Sequence, residues 1–174
     1  MEFLELAKQR YSERAYADKP IEQEKLDMIL EAGRIAPTAG NRQPQRFYML
    51  KSEKALAKAK EVTPFTYGAP VMLLVCFDSN AVWKNPREAY WREYDSGEQD
   101  ASIAATTMMY AAWDLGIHSL WIRGFDASKV KETFDLPENI IPVMMLSLGY
   151  PSDESQPHPW HFKRNPIEDF VTEL

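Results

Sequence analysis

The sequence predicts an α+β or α/β sandwich, in which helices cover a sheet of buried strands. Segments with apolar residues at helical spacing alternate with short, continuous apolar runs of strand length. Apolar residues make up 45% of the 174 residues, which is enough for a packed core. With no internal repeat, the length predicts one domain over residues 1–174.

The first half of the chain alternates helix and strand signals. A short helix is predicted at 3–9, and a longer one within 19–37, where Leu26, Ile29, Leu30 and Gly33 mark one buried face. Pro37 stops that helix. A strand at 46–52 follows, Ser52 can cap a helix at 53–61, and the apolar run 69–78 predicts a strand buried on both faces.

The second half continues the pattern. Ser96 and Gln99 have the spacing of a capping box, and the helix after them, 97–116, is apolar on most faces. Such a helix is buried in a core or between subunits. Gly116 suits its C-terminal end. The remaining patterns predict strands at 117–122 and 140–150 and a helix at 127–134.

The last part of the chain, 150–174, predicts an extended arm. It holds four of the 12 prolines and no clear periodicity. Its aromatic residues Trp160, Phe162 and Phe170 need an apolar surface to cover them, and a partner subunit is one such surface.

Charge and cysteine content limit the function classes. The net charge of −6 argues against a general nucleic-acid binder, which needs surplus cations. A single cysteine, Cys76, allows no internal disulfide and fits a reducing cytoplasm. No signal peptide is recognised, and no apolar run reaches the roughly 20 residues of a membrane helix. We therefore expect a cytoplasmic protein without nucleic-acid or membrane partners.

The stretch RYSER at 10–14 is a candidate anion site. Glycine-rich phosphate loops are absent from the sequence, so side-chain cations would have to hold a phosphate. Arg10, Ser12 and Arg14 could converge on one anion, and arginine binds phosphate with two parallel hydrogen bonds. The alternative is an exposed charged turn that includes Glu13.

Other chemistry has weaker support. His158 and His161 have metal-ligand spacing but no evident third ligand, so we expect no metal site. Cys76 lies in an apolar strand and is expected to be a core residue. The aromatic stretch 83–94, with Trp83, Tyr90, Trp91 and Tyr94, could be plain core or a wall over a flat ligand.

Three stretches in a fixed order carry a family resemblance: RYSER at 10–14, APTAGNRQPQRF at 36–47 and WIRGFD at 121–126. With the later GYP and KRNP segments they span almost the whole chain. Through these motifs the chain resembles the nitroreductase family of flavin mononucleotide (FMN) enzymes. The resemblance implies a central, mostly antiparallel sheet flanked by helices. It also implies an intertwined homodimer with exchanged C-terminal arms and two flavin sites at the interface.

The resemblance also implies roles for particular residues. The flavin phosphate and the polar edge of its ring would lie against the first motif and the arm, through Arg10, Tyr11, Ser12, Arg14, Lys163 and Arg164. The loop after the second helix would pack from the other subunit near the ring and ribityl chain, through Pro37, Thr38, Ala39, Asn41 and Gln43. The segment Trp121, Ile122, Arg123 and Gly124 would run beside the ring, with a backbone N–H facing flavin N5.

Arg123 departs from the acidic or small residue that is frequent at its position in the family. A cation there could stabilise negative charge on reduced flavin, or point to solvent or to Asp126. Gly124 permits close backbone approach.

The implied activity is an NAD(P)H-dependent flavin oxidoreductase. NADH or NADPH would give hydride to flavin N5 in a ping-pong cycle, and a nitroaromatic, quinone or similar acceptor would then be reduced. No side chain is expected to act as a nucleophile. Two alternatives are open: a specialised relative with one physiological substrate, and an FMN-binding protein for electron relay, storage or sensing without efficient turnover.

Overall fold

The computed structural model describes residues 2–85 and 95–174. Over these residues the chain forms five α-helices and four strands. In order they are α1 (Phe3–Gln9), α2 (Gln23–Arg34), β1 (Gln45–Leu50), α3 (Glu53–Val62), β2 (Val71–Asp78), α4 (Gly97–Asp114), β3 (His118–Ile122), α5 (Ala127–Thr133) and β4 (Ile140–Gly149). Single 3₁₀ turns lie at Ala39–Asn41, Pro159–Phe162 and Ile167–Asp169.

The strands form one sheet in the order β1-β2-β4-β3, and each neighbouring pair is antiparallel. β2 and β4 are central and pair from Val71 opposite Leu148 to Asp78 opposite Ile140. The prediction of an α+β fold with an antiparallel sheet is confirmed. β3 is an edge strand, and this edge carries the candidate site.

Alternate residues of β2 enter two different cores, as a strand buried on both faces requires. Val71, Leu73 and Val75 face the side covered by α2 and α4, whereas Met72 and Leu74 face α3 and α5. The predicted burial of this strand on both faces is confirmed.

α2 packs closely on α4 at a glycine. Leu26, Ile29 and Gly33 of α2 are buried, and Leu30 is half-buried, so the predicted face is the one that packs. A Cβ on Gly33 would lie 2.7 Å from Sδ of Met108. Glycine at this position therefore lets the two helices approach each other.

Two predicted helix ends are confirmed. The Ser52 hydroxyl accepts the N–H of Ala55 at 3.2 Å at the start of α3. At the end of α4, Gly116 has φ +74°, a left-handed conformation that suits glycine. The N–H groups of Gly116 and Ile117 donate to Trp113 and Ala112, which completes a Schellman motif.

The prediction of a capping box at Ser96 was wrong, although α4 does begin directly after this residue: the Ser96 side chain makes no capping hydrogen bond. The backbone of Ser96 is already helical (φ −83°, ψ −3°), whereas a capping side chain needs extended backbone. Its hydroxyl instead donates to Asp100 Oδ2 at 2.7 Å and accepts the N–H of Trp83 at 3.1 Å.

In the described residues, no helix is long and apolar enough to cross a bilayer.

Candidate functional site

The segment 10–14 lies along the free edge of β3. Ser12 forms a parallel bridge with Ser119, and the N–H of Glu13 donates to the Ser119 carbonyl at 3.0 Å. Extended backbone sends successive side chains to opposite faces. Arg14 is consequently exposed, while Glu13 turns inward and is 1% exposed.

A cleft of about 250 Å³ lies between this segment and the C-terminal arm. The structure therefore brings together five of the six residues predicted for the phosphate end: Arg10, Tyr11, Ser12, Arg14 and Arg164. The lining consists of Arg10, Tyr11, Ser12, Arg14, His158, Trp160, His161 and Arg164. The side chain of Lys163 does not line the cleft, but its carbonyl accepts a hydrogen bond from Arg164 Nη1 at 2.7 Å.

The cleft is cationic and partly unsatisfied. Nη1 of Arg10 is buried and has no hydrogen-bond partner among the described residues. Among residues 2–85 and 95–174, no carboxylate forms an ion pair with Arg10, Arg14 or Arg164. A buried guanidinium N–H without an acceptor is destabilising, so an anion bound in the cleft would satisfy it.

A second pocket of about 250 Å³ adjoins the first and shares Arg14 with it. All four predicted ring-side residues, 121–124, line it. Its lining is Arg14, Phe65, Tyr67, Leu120, Trp121, Ile122, Arg123 and Gly124. Phe65 and Tyr67, with ring centroids 6.5 Å apart, were missed by the sequence analysis. Two aromatic residues in a short loop between Pro64 and Gly68 are the signal that could have indicated them.

Gly124 does permit a close approach, and the group that approaches it is Phe65. A Cβ on Gly124 would lie 2.8 Å from Cδ2 of the Phe65 ring and still closer to Cε2 of the same ring. The Gly124 carbonyl accepts a hydrogen bond from Thr63 Oγ1 at 2.9 Å. Arg123 is exposed, and in the described part of the chain it forms no ion pair with Asp126, whose carboxylate caps α5.

The loop 37–43 is held in an unusual backbone conformation. Gly40, Asn41 and Gln43 have φ of +56°, +53° and +50°, and left-handed backbone is strained for the last two. The hydroxyl of Thr38 accepts the N–H of Gln43, and buried Asp100 accepts the N–H of Ala39 at 2.9 Å. Pro37, Asn41 and Gln43 are exposed. The loop is thus a solvent-facing element whose backbone is held by hydrogen bonds from Ala39 to Asp100 and from Gln43 to Thr38.

Within one chain, this loop does not meet the arginine cleft. It is attached to the start of α4 through Asp100, whereas Tyr11 of the cleft packs edge-on against Trp113 at the other end of α4. Thirteen residues of helix separate Asp100 and Trp113, a rise of ~20 Å. The structure therefore leaves the loop residues Pro37, Thr38, Ala39, Asn41 and Gln43 apart from the arginine cleft.

A buried polar cluster behind the cleft was also missed. Oε2 of Glu13 accepts a hydrogen bond from Ser155 Oγ at 2.6 Å and lies 2.7 Å from Nδ1 of His118. Oε1 accepts the N–H groups of Arg14 and Ala15, each at 2.9 Å. A glutamate between two arginines suggested a solvated turn, and the sequence alone could not show that three distant segments surround it.

The environment sets the protonation states of this cluster. Burial would raise the pKa of Glu13, but the hydrogen bonds from Ser155, Ala15, His118 and Arg14 outweigh it and hold the pKa below its usual range. Burial lowers the pKa of His118, against the opposing effect of Glu13. We therefore assign an ionised Glu13 and a neutral His118 that donates Nδ1–H to it near pH 7.

Of the remaining candidates, His158 and His161 line the first cleft, whereas Cys76 and Trp83 line neither pocket. Cys76 is fully buried, and burial raises the pKa of its thiol to about 12. No group of three or more metal-ligating side chains occurs in residues 2–85 and 95–174. Of the aromatic stretch 83–94, Trp83 lies near Gly40. Tyr90, Trp91 and Tyr94 fall outside the described residues.

The sequence and the fold both match known proteins. The nitroreductase family model matches residues 7–64 and 62–150. A candidate NADH dehydrogenase/NAD(P)H nitroreductase of Archaeoglobus fulgidus is 35% identical over 162 residues, covering 88% of this chain and 87% of that protein.

Two solved structures extend the likeness. A nitroreductase family protein of Clostridium difficile 630 superposes with a TM-score of 0.90 at 38% identity, over 99% of this chain and 98% of that one. A candidate nitroreductase of Desulfovibrio desulfuricans, solved in complex with FMN, has a TM-score of 0.81 at 25% identity, over 100% and 97% of the two chains. With matches over nearly its whole length, the chain is an enzyme of the nitroreductase family.

Proposed function

We propose that this protein is an FMN-dependent oxidoreductase, with the whole chain as one FMN-binding domain. It would carry reducing equivalents from NADH or NADPH to a nitroaromatic, quinone or similar acceptor in a ping-pong cycle. The observation that carries the proposal is the pair of pockets that share Arg14, one cationic and one with aromatic walls. A ligand with a phosphate at one end and a flat ring at the other suits this pair.

The residues present fit FMN. The unpartnered Nη1 of Arg10, with the side chains of Ser12, Arg14 and Arg164, offers donors of the kind that bind a phosphate. The wall of Trp121, Phe65 and Tyr67 offers apolar surface for a flat ring. When bound, FMN supplies hydride chemistry, which none of these side chains can perform.

The chain's own groups would bind and orient rather than react. The backbone at Arg123 and Gly124 is the candidate for a hydrogen bond to the ring, because it borders the second pocket beside Trp121. A preorganised donor of this kind is worth roughly 3 kcal/mol in barrier height. The guanidinium groups of Arg14 and Arg123 would stabilise negative charge that develops on the ring.

We propose that the enzyme is a homodimer in which each site is shared between subunits. The separation of the loop 37–43 from the cleft supports this, because a second copy could bring its own loop to the cleft. An apolar patch on α1 and α4 also supports it: Phe3 and Ile103 are 62% and 41% exposed beside Tyr110. The end of the arm, beyond the residues that wall the cleft, would reach over the partner, since Phe170 is 70% exposed in the single chain.

A cytoplasmic setting suits this proposal, because NADH, NADPH and a reducing environment for Cys76 would be available there.

Steady-state kinetics of the FMN-loaded protein test the proposal. The acceptors are a nitroaromatic, a quinone and an azo compound. For each, initial rates are measured over a range of acceptor concentrations at several fixed concentrations of NADH or NADPH. Ping-pong turnover gives parallel double-reciprocal lines. Rapid turnover of only one acceptor would indicate a specialised enzyme, and FMN binding without turnover would indicate an electron-relay or storage protein.

A further inference from the structure

The carboxylate of Glu13 joins three segments that are distant in sequence. Oε1 binds the backbone of the arginine segment at Arg14 and Ala15. Oε2 binds Ser155 of the arm and His118 at the start of β3. All four donors lie within 2.6–2.9 Å, and the side chain is 1% exposed.

Rings close the cluster from the outside. Trp113 stacks on the imidazole of His118 with centroids 4.1 Å apart, and Tyr11 packs edge-on against the same ring at 5.1 Å. The hydroxyl of Tyr11 lies 2.7 Å from Ser155 Oγ. The Ser155 hydroxyl can therefore donate to Glu13 and accept from Tyr11, which satisfies both of its neighbours.

Ser155 stands just before the part of the arm that walls the cleft. His158, Trp160, His161 and Arg164 follow it within nine residues and form one wall, while the segment 10–14 forms the other. The arm is also attached earlier, where the N–H of Ser152 donates to the Ala15 carbonyl at 2.8 Å. Beyond Ser155, Trp160 and Arg164 are exposed in the single chain.

We propose that Glu13 is a positioning residue that fixes the arm to the arginine segment through Ser155 and so sets the separation of Arg164 from Arg10 and Arg14. Glu13 does not touch the ligand. It holds together the two walls that carry the arginines, and the identity of the cleft as a phosphate site rests on the proposed FMN function. Without the Ser155 bond, the wall that carries Arg164 would contact the arginine segment beyond Ser152 mainly through the ring of His161 on Tyr11, with centroids 6.1 Å apart, and would be held less firmly.

Two measurements on the full-length protein test this. The first is the rate of tryptic cleavage after Lys163 or Arg164, which reports how firmly the arm is held. The second is the ratio of affinities for FMN and riboflavin, measured by fluorescence quenching. Because the two ligands differ only in the phosphate, this ratio isolates the phosphate cleft from general damage to the fold.

The variants are Ser155→Ala, Glu13→Gln and their combination, with Glu154→Gln as the matched control. Glu154 is an exposed carboxylate next to Ser155. We expect Ser155→Ala to raise the cleavage rate and lower the FMN-to-riboflavin affinity ratio, each about fivefold, the effect of one lost hydrogen bond. Glu13→Gln should act in the same direction, the double variant should add little to it, and Glu154→Gln should behave as the wild type.

Unchanged cleavage and an unchanged ratio in Ser155→Ala would overturn the proposal, as would fully additive effects in the double variant. Failure of the wild type to bind either flavin would overturn the FMN function instead. The cleavage rates alone would then decide whether Glu13 holds the arm.

Discussion

The Ser155 hydroxyl donates a hydrogen bond of 2.6 Å to the Glu13 carboxylate, although 142 residues separate them in the chain. The bond ties the C-terminal arm to the arginine segment along the edge of β3. The cleft between these two segments contains Arg10, Ser12, Arg14 and Arg164. The geometry of the candidate phosphate site therefore depends on the packing of the arm as well as on the first motif.

Replacement of Arg10 or Arg164, which lie on opposite walls of the cleft, should weaken FMN binding. Arg10→Ala removes the buried, unpartnered Nη1, and Arg164→Ala removes the cation on the arm side. Each change should weaken FMN binding by about tenfold or more, since charge-assisted hydrogen bonds are worth about 1.5–3 kcal/mol. Titration of the flavin-free protein with FMN measures this.

Arg34→Ala is the control for the arginine variants. Arg34 pairs with Glu31 on the exposed side of α2, outside the cleft. It should leave FMN affinity unchanged. Full FMN retention in both Arg10→Ala and Arg164→Ala would show that this cleft is not the phosphate site.

A methyl group on Gly124 should disturb the second pocket but not the fold. The added Cβ would overlap the ring of Phe65, and because this ring is 42% exposed we expect it to rotate toward solvent. We expect Gly124→Ala to unfold at nearly the wild-type temperature but to shift the visible flavin bands and weaken FMN binding. Absorption spectra and thermal unfolding measure the two effects.

The double variant Gly124→Ala/Phe65→Leu tests the cause, because the smaller side chain makes room for the added methyl group. It should recover most of the lost affinity. If Gly124→Ala binds FMN as the wild type does, the second pocket does not hold the ring.

A charge on the exposed apolar face of α4 should break the proposed dimer. Ile103→Glu places a carboxylate beside Phe3 and Tyr110, where an apolar interface would otherwise form. Sedimentation equilibrium at micromolar concentration should show a dimer for the wild type and a monomer for the variant. FMN binding should fall with dimerisation, because the loop 37–43 would no longer reach the cleft.

Ala57→Glu supplies the control for that experiment, since it adds the same charge to an exposed position of α3. It should remain dimeric. A wild-type protein that is monomeric yet binds FMN tightly would contradict the shared site.

The ionised Glu13 should make stability depend on acid pH. Because its folded-state pKa is lowered, its contribution is fully present above the usual glutamate pKa of 4.5 and is lost as pH falls below it. Glu13→Gln should be less stable than the wild type at pH 7, by about 1–3 kcal/mol. The difference should shrink below pH 4.5, and urea unfolding of the flavin-free proteins at pH 7 and pH 4 measures it. Parallel changes in both proteins would show that Glu13 is not the group that titrates.

Local signals were sufficient for most of the fold. The buried strand 71–78 followed from its continuous apolar run, and the buried face of α2 around Ile29 followed from the helical spacing of its apolar residues. The end of α4 at Gly116 follows from its need for a left-handed residue. The capping box failed because Ser96 has a tertiary partner, Trp83, which a local motif cannot include.

The site was predictable only where the chain itself keeps residues close. Arg10, Ser12 and Arg14 share one extended segment, so the sequence indicated that they could converge, with an exposed charged turn as the alternative. The role of Glu13 did not, because its partners come from β3 and the arm. Phe65 was missed for a similar reason, as its place beside Gly124 depends on the packing of two separate loops.

The most direct test of the account is an absorption spectrum of the purified protein, followed by anaerobic additions of NADH and then NADPH. An FMN-dependent NAD(P)H oxidoreductase will be a yellow protein whose flavin bands bleach with at least one of the two nucleotides. A colourless protein that takes up no added FMN would contradict it.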